Sequence, residues 1–282
     1  MKEAEIKKTV REGYAKVAKN NASCCGSSSS ESSGSCGCGP SIDQESVSKA
    51  IGYSKEELEA LPEGADLGLG CGNPTALASI EEGETVVDLG SGAGIDCFLA
   101  AKKVGKDGKV IGVDMTPEML DRARTNAKNG EVGNVEFRLG EIDNLPVADN
   151  TADLIISNCV INLAPDKKRV FEEAFRVLKP GGRVVISDIV LLGELPEALK
   201  ASKEAYVGCI SGAIPREDYL QTIKDAGFER VEVVSEATFP VEDVIVGENA
   251  QKILKDANLT TEEALKAAIK VSSVKVRAYK PS

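Results

Sequence analysis

Three of the eight cysteines stand in contexts that could present a thiol to a ligand. Cys71 lies between two glycines in GLGCGNPT, Cys159 follows the apolar run ADLIISN, and Cys209 lies among small residues in AYVGCISGA. Flanking glycines leave the Cys71 thiol without side-chain cover, and the Asn-Pro pair that follows disfavours a helix. Because a structural cysteine normally lies on an apolar face, Cys71 is predicted to hold a ligand.

The chain contains no histidine, which further limits the classes of reaction and metal site that it could have. This absence excludes serine and cysteine hydrolases with an imidazole base, histidine-ligated metal sites and most proton shuttles. In a reducing cytoplasm the cysteines are expected to be thiols that serve packing, ligation of a soft ion or redox chemistry.

Three thiols from distant segments favour a thiophilic ion. Zinc usually takes a fourth ligand, and closed cysteine sites show tight C-x₂₋₄-C pairs, which Cys71, Cys159 and Cys209 lack. Three isolated cysteines suit a trigonal centre with a lone pair, such as trivalent arsenic. Such a centre is itself a nucleophile, so its attack needs no general base.

Composition limits the classes of partner. The chain has 282 residues, a hydrophobic content of 42% and a formal net charge of -11, without a basic run. Nucleic acids and anionic membranes are therefore not expected partners. No apolar stretch approaches the ~18 residues of a membrane span, and the charged N-terminus lacks a signal-peptide core. We expect a cytoplasmic protein.

The elements that must position these residues alternate between strand and helix patterns. Apolar runs predict strands at 84–89, 108–114, 134–140, 152–158 and 181–191, with helices near 94–104, 117–129 and 166–178. This alternation predicts a doubly wound, mostly parallel α/β sheet. Further predicted elements are a helix at 216–226, strands at 228–235 and 271–280, which bring the sheet to seven strands, and two helices within 241–270.

The chain before this sheet is predicted to be helical and interrupted. Residues 4–19 have helical periodicity, with Ile6, Val10, Tyr14 and Val17 on one face. A Ser/Gly/Cys-rich stretch within 22–40 is expected to be a flexible linker. Residues 46–61 are predicted to be one further helix, with a capping box at 54–57. We divide the chain into a helical segment 1–75 with the linker and the Cys71 turn, a core 76–215, and a part 216–282 that completes the sheet and the ligand-binding region.

The first strand ends in VVDLGSGAGID, a glycine-rich turn that lets backbone N–H groups approach a ligand. The second strand ends at Asp114, which is placed to bind a ribose diol. Asp114 follows Asp88 by 26 residues, and Cys97 occupies the position of the third glycine of a dinucleotide fingerprint. Both features argue against a nicotinamide cofactor.

These motifs, with GEIDNLP after the third strand, resemble the S-adenosylmethionine-dependent methyltransferases, whose Rossmann-like sheet ends in an antiparallel strand. The resemblance implies that Gly90, Ser91, Gly92 and Gly94 wrap the methionine end of S-adenosylmethionine and that Asp114 binds the ribose. It also implies that Met115 lies on the adenine face, with Glu141 and Ile142 at its edge. Asp88 is expected to support the loop. An N-terminal lid containing Cys71 would cover the cofactor.

More specific segments, among them the GLGCGNP turn, SNCVINL, CISGA and the closing VRAYKP, resemble the arsenite methyltransferases. This resemblance implies that Cys71, Cys159 and Cys209 bind As(III) and that methylation serves arsenic detoxification. The expected partners are arsenite or its thiol conjugates and a thiol reductant such as thioredoxin or glutathione, because turnover in that family is coupled to cysteine oxidation.

The other cysteines leave alternatives open. Cys97, inside the first core helix, is interpreted as a small hydrophobic residue. Cys24, Cys25, Cys36 and Cys38 could be plain linker residues, capture arsenic, or supply the disulfide partner that the family uses. Tyr14 could pack on the cofactor or in the core.

Two other functions compete with arsenic methylation. A methyltransferase for a carbon acceptor, such as a quinone precursor, would share the cofactor half and would not need the three cysteines. A non-enzymatic thiol-based metalloid or zinc binder would bind metal without the cofactor, and the glycine loop argues against it.

Overall fold

The computed structural model describes residues 2–19, 44–238, 260, 262–263, 266 and 270–282. The strands are β1 Thr85–Leu89, β2 Lys109–Asp114, β3 Val135–Leu139, β4 Ala152–Asn158, β5 Leu178–Leu191, β6 Glu229–Thr238 and β7 Val271–Tyr279. The helices are α1 Glu3–Lys19, α2 Gln44–Ala50, α3 Lys55–Glu59, α4 Pro74–Leu77, α5 Ile95–Val104, α6 Pro117–Asn129, α7 Lys167–Val177, α8 Glu197–Ala201, α9 Lys203–Val207 and α10 Arg216–Asp225. A 3₁₀ turn covers Ile161–Leu163.

The strands form one seven-stranded sheet in the order β3-β2-β1-β4-β5-β7-β6. β1 to β5 pair in parallel, and β7 lies antiparallel between β5 and β6. The predicted doubly wound, mostly parallel sheet with an antiparallel last strand is thus confirmed. The strand order reverses between the adjacent β1 and β4, and ligands of open α/β sheets bind outside the carboxyl ends of the strands at such a switch point.

Helices cover both faces of the sheet, which explains the continuous apolar runs in its central strands. In β1, Val87 packs with Ile111 and Phe171 on one face, whereas Val86 packs with Cys97 and Leu120 on the other. The fully buried Cys97 confirms its interpretation as a core residue.

The N-terminal region differs from the prediction of one helix at 46–61. The chain forms two short helices, α2 and α3, because Gly52 adopts φ +109° and breaks the first of them. Ser54 then begins α3, and the predicted capping box with Glu57 is present. A capping box marks the start of a helix, so its position inside the predicted span indicated the break.

Two predictions concern residues outside those that the structure describes. These are the linker at 22–40 and nearly all of the two helices within 241–270. In the described part of the chain, no helix is long and apolar enough to cross a membrane.

Candidate active site

A cleft of about 890 Å³ opens at the carboxyl ends of β1, β2 and β4, and α1 covers one side of it. Nearly all predicted site residues line this cleft: Cys71, Asp88, Gly90, Ser91, Gly92, Asp114, Met115, Glu141, Ile142, Cys159 and Cys209. Gly94 is the exception. Its backbone adopts φ +102° beneath the loop, and a Cβ there would lie 2.7 Å from the Phe98 ring. The structure therefore brings the predicted cofactor residues and the three thiols to one cleft.

The glycine loop, Gly90–Gly94, follows β1 and turns into α5. Gly90 adopts φ +71° and Gly92 φ +52°, and a Cβ on Gly90 would overlap Val160. The amides of Gly90 and Ser91 both donate to the carbonyl of Val113, so the loop is tied to the end of β2. The Ser91 hydroxyl is buried and has no hydrogen-bond partner among the described residues, which leaves it free to bond a ligand in the cleft.

Asp114 lies at the end of β2 and orients toward the loop. Its carboxylate accepts hydrogen bonds from the amides of Gly92, at 3.0 Å, and Thr116, at 2.8 Å. Burial raises the pKa of this carboxyl above its ordinary value, although these hydrogen bonds oppose the rise. A carboxylate offers about four lone-pair positions, so two bonds leave acceptors for a diol.

Asp88, at the end of β1, is buried behind the loop. It accepts a hydrogen bond from the Cys97 thiol at 3.2 Å. Burial and the nearby Asp96 carboxylate raise its pKa well above the ordinary value. This arrangement is compatible with the predicted supporting role and gives Cys97 a polar partner.

The segment after β3 is joined to α1 by an ion-pair cluster. The Lys7 ammonium lies 2.9 Å from Glu141, 2.7 Å from Asp143 and 3.1 Å from Glu3. Partial burial lowers the pKa of Lys7, but the hydrogen bonds to these carboxylates raise it well above its ordinary value overall. Lys7 is therefore charged and fixes α1 over the predicted adenine side of the cleft, where Met115 and Ile142 also lie.

The Cys71 turn, Gly70–Gly72, does not match the expectation of an uncovered thiol. Cys71 is only 6% exposed and packs among apolar side chains. Its amide donates to the Asn158 side chain at 3.1 Å, and its carbonyl accepts from the Ser273 hydroxyl at 2.8 Å. The flanking glycines let the turn approach its neighbours: a Cβ on Gly70 would lie 2.8 Å from Asn158. The glycines serve close packing rather than exposure.

Cys159 and Cys209 both adopt the left-handed conformation that non-glycine residues seldom take, with φ +57° and +64°. Cys159 follows β4, as predicted, and its amide donates to the Ser187 carbonyl at 2.7 Å. Cys209 comes after the fifth strand, as predicted, and directly follows α9. Its thiol donates to the Cys159 carbonyl at 2.9 Å. Hydrogen bonds with the thiols of Cys209 and Cys71, together with burial, raise the pKa of Cys159 well above its ordinary value.

Asp188 belongs to the site but was not among the sequence candidates. One of its carboxylate oxygens and the sulfur atoms of Cys71 and Cys159 all lie within 4.8 Å of one another. Its carboxylate accepts from Asn162 and from the Ile189 amide, each at 2.9 Å, and from the Tyr219 hydroxyl at 3.0 Å. Burial raises its pKa to about 6. The sequence signal that could have identified Asp188 is an acidic residue inside the apolar run VVISDIVL.

Asn158 and Tyr14 complete the surroundings of the thiols. The Asn158 amide group donates to the Gly72 carbonyl at 2.8 Å and to Asp96 at 3.1 Å, so it links the Cys71 turn to the first turn of α5. Tyr14, from α1, lines the cleft together with Met115 and Cys159. Burial and the neighbouring Cys209 and Cys159 thiols raise the pKa of Tyr14 well above its ordinary value.

Comparisons with known proteins agree with this architecture. A family model described as a methyltransferase domain matches residues 80–258. An arsenite methyltransferase of Halobacterium salinarum is 51% identical over 229 residues, which cover 81% of this chain and 59% of that protein. A crystal structure of an arsenic(III) S-adenosylmethionine methyltransferase from Chlamydomonas reinhardtii superimposes with a TM-score of 0.62 at 33% identity, covering 83% of this chain and 74% of that one.

A carbon methyltransferase is a weaker match. The ubiquinone/menaquinone biosynthesis C-methyltransferase of Escherichia coli is 30% identical over 176 residues, or 55% of this chain and 70% of that protein. The chain spans 40% to 59% of the length of the curated arsenite methyltransferases of Halobacterium salinarum, Aquipseudomonas alcaligenes and Mus musculus. The chain therefore belongs to the methyltransferase-domain family and, within it, to the arsenite methyltransferases.

Proposed function

We propose that this protein transfers a methyl group from S-adenosylmethionine to trivalent arsenic held by Cys71, Cys159 and Cys209, which detoxifies arsenite. The observation that carries the proposal is the shared cleft, which is lined by the glycine loop and by three thiols from separate segments. A carbon acceptor would not explain why three thiols line the same cleft as the glycine loop.

S-adenosylmethionine, when bound, supplies an electrophilic methyl group on a sulfonium. The chain fits this ligand: the unpartnered Ser91 hydroxyl and the open backbone at Gly92 border the region proposed for its methionine end. Asp114 is proposed to accept from the ribose hydroxyls, and Glu141 and Ile142 to border the adenine. α1, fixed through Lys7, would limit the access of water to the cleft.

The part of the three cysteines is to bind and orient arsenic. Arsenous acid condenses with three thiols to form three As–S bonds, and each thiol proton leaves in a water molecule. This condensation consumes thiols in their protonated form. The raised pKa of Cys159 keeps its thiol protonated at neutral pH. Trivalent arsenic with three sulfur ligands keeps an electron pair that can attack the methyl group directly, so a chain without histidine needs no base for this step.

The As–C bond takes the arsenic electron pair and leaves arsenic formally pentavalent. A return to the trivalent state requires two electrons, which oxidise two thiols to a disulfide. We therefore propose as partner a thiol reductant such as thioredoxin, through its dithiol, or glutathione, through two molecules, and as location the cytoplasm, which keeps thiols reduced. The four described cysteines, Cys71, Cys97, Cys159 and Cys209, are free thiols in this structure.

The decisive experiment measures transfer of labelled methyl from S-adenosylmethionine to arsenite in the presence of a dithiol. Cys159→Ser and Cys209→Ser are expected to abolish transfer to arsenite and monomethylarsenite, and Cys71→Ser to abolish at least the first transfer. Cys97→Ser, which changes a buried thiol outside the triad, is the matched control and should remain active. Full activity of Cys159→Ser on arsenite would exclude the arsenic site and favour a carbon acceptor.

A further inference from the structure

A second set of ligand atoms overlaps the three thiols. We propose that Cys71, Cys159 and Asp188 form a binding site for a thiophilic divalent cation, with Zn²⁺ as the reference ion. Such a cation would compete with arsenite for two of its sulfur ligands. In the part of the chain that the structure describes, one ligand atom from each of these three residues lies within 4.8 Å of the other two.

Each ligand residue is held by bonds of its own. Asn162, the Ile189 amide and Tyr219 fix the Asp188 carboxylate. The backbone of Cys71 is bonded on both sides, to Asn158 and Ser273, and the Cys159 amide is bonded to β5. Outer hydrogen bonds of this kind orient metal ligands and reduce the rearrangement that binding requires.

The donor set suits a borderline-soft cation. Zinc binds cysteine sulfur at ~2.3 Å and carboxylate oxygen at ~2.0–2.2 Å, so two sulfurs in a tetrahedral site lie ~3.8 Å apart. A spacing within 4.8 Å therefore needs only a small movement of the side chains. Binding displaces the two thiol protons and any proton on Asp188 into solvent. The Lys167 ammonium near Asp188 offsets the negative charge that remains.

Asp188 distinguishes the two ligands. Trivalent arsenic is satisfied by three sulfurs and needs no carboxylate, whereas zinc accepts a carboxylate oxygen readily. Arsenic binding should therefore depend on Cys209 more than on Asp188, and cation binding should depend on Asp188 more than on Cys209. The fourth cation ligand would be water or the Cys209 thiol.

Cobalt(II) is the spectroscopic probe for this site. The full chain carrying Cys24→Ser, Cys25→Ser, Cys36→Ser and Cys38→Ser, kept reduced with a phosphine, would be titrated with Co²⁺. One equivalent should produce a thiolate-to-cobalt charge-transfer band and tetrahedral visible bands. Zn²⁺ should abolish both, because it binds such sites more tightly than Co²⁺. A titration without a thiolate band would overturn the proposal and leave arsenic methylation unaffected.

Two variants in this background separate the sites. Asp188→Asn should weaken Co²⁺ binding by about tenfold or more, the size of effect expected for loss of metal-site partners, and should leave arsenite affinity nearly unchanged. Cys209→Ser should retain the cobalt bands and lose arsenite binding. Cys97→Ser is the control for both measurements. Unchanged Co²⁺ affinity in Asp188→Asn would exclude Asp188 as a ligand.

Asp188 accepts three buried hydrogen bonds, so its variant could fail to fold. Alkylation of the chain with its native Asp188 provides the second measurement, read residue by residue by mass spectrometry. Zn²⁺ should slow the reaction of Cys71 and Cys159 with iodoacetamide, and saturating S-adenosylmethionine should not abolish this zinc effect. Protection that omits Cys71 would overturn the proposal.

Discussion

The glycine loop and the Cys71 turn are both rich in glycine and both border the cleft, yet Gly92 of the loop and Gly72 of the turn are glycine for different reasons. Gly92 adopts φ +52°, and among the described residues other than its chain neighbours no atom lies within 4 Å of a Cβ built on it. In the turn, Gly72 has an ordinary φ, but a Cβ there would overlap the Ser187 hydroxyl. Gly92 therefore provides backbone freedom beside an open cleft, whereas Gly72 leaves space for the turn against β5.

The two segments also differ in the origin of their hydrogen bonds. The loop is tied to the carbonyl of Val113 and the carboxylate of Asp114, both at the end of the adjacent strand. The turn is held by Asn158 and Ser273, which belong to strands far away in the sequence. Glycine content therefore does not indicate mobility, because dense packing and an open backbone both select this residue.

The largest effect is expected from Gly72→Ala. The added Cβ must displace the turn from Ser187, which moves the Cys71 sulfur away from Cys159. Methyl transfer to arsenite should fall by about 100-fold or more, as a 1 Å misplacement can cost. Affinity for S-adenosylmethionine, measured by calorimetry, should change by about twofold at most.

Two further variants make this test specific. Ser187→Gly should partly restore transfer in Gly72→Ala, because it removes the atoms that the new Cβ meets. Gly133→Ala, at a glycine with open space and an ordinary φ, is the matched control and should behave as the native chain. An active Gly72→Ala protein would mean that the turn moves freely.

Asp96 lies between the two segments and should make stability depend on pH. It accepts from Tyr53 and from Asn158, and burial raises its pKa to about 6 from an ordinary 3.8. The native state therefore holds a proton that the unfolded state releases, so this contribution to the free energy of unfolding is present below pH 4 and is lost as pH rises toward 6.

Asp96→Asn imitates the protonated form. Its stability relative to the native chain should improve between pH 4 and pH 7 by up to about 3 kcal/mol, on top of a constant offset. Urea denaturation across this range measures the difference. A difference in stability that does not vary with pH would contradict the raised pKa of Asp96.

Gly92→Ala should affect the other segment. Alanine in the left-handed conformation costs ~1–2 kcal/mol, and a loop that relaxes to avoid this cost when free must regain the conformation to bind, so affinity for S-adenosylmethionine should fall by about 5- to 30-fold. Arsenite binding in the absence of the cofactor, measured by the protection of thiols from alkylation, should not change. Equal losses of both ligands would show that the loop and the turn do not act separately.

The smallest effect is expected from the contact that holds α1 over the loop. Lys7→Met removes an ion pair cluster with Glu141 and Asp143, and dissociation of S-adenosylmethionine should accelerate about two- to fivefold. Lys8→Met is the control, because Lys8 is exposed and its ion pair, at 3.8 Å, is with Glu12 on its own helix. Equal dissociation rates in the two variants would exclude Lys7 as the contact that retains α1.

The sequence by itself determined the seven strands, the three helices α5, α6 and α7 between β1 and β5, the glycine loop and the position of Asp114. These features rest on local signals: apolar periodicity, glycine between a strand and a helix, and an acid at the end of a strand. The missing histidine and the three isolated cysteines likewise directed the chemistry to sulfur before any contact was known.

Only the tertiary structure decided where the three thiols lie relative to one another and to Asp188. Cys71 is buried because strands distant in the sequence fold over its turn, and the contribution of Asp188 depends on its distance from two cysteines on other segments. Cys209, just after α9, donates a hydrogen bond to the Cys159 carbonyl. Its backbone is in the left-handed conformation, which the local sequence does not predict. Periodicity reports which face of an element is buried, but contacts between remote segments depend on the packing of the whole sheet and of the helices that cover it.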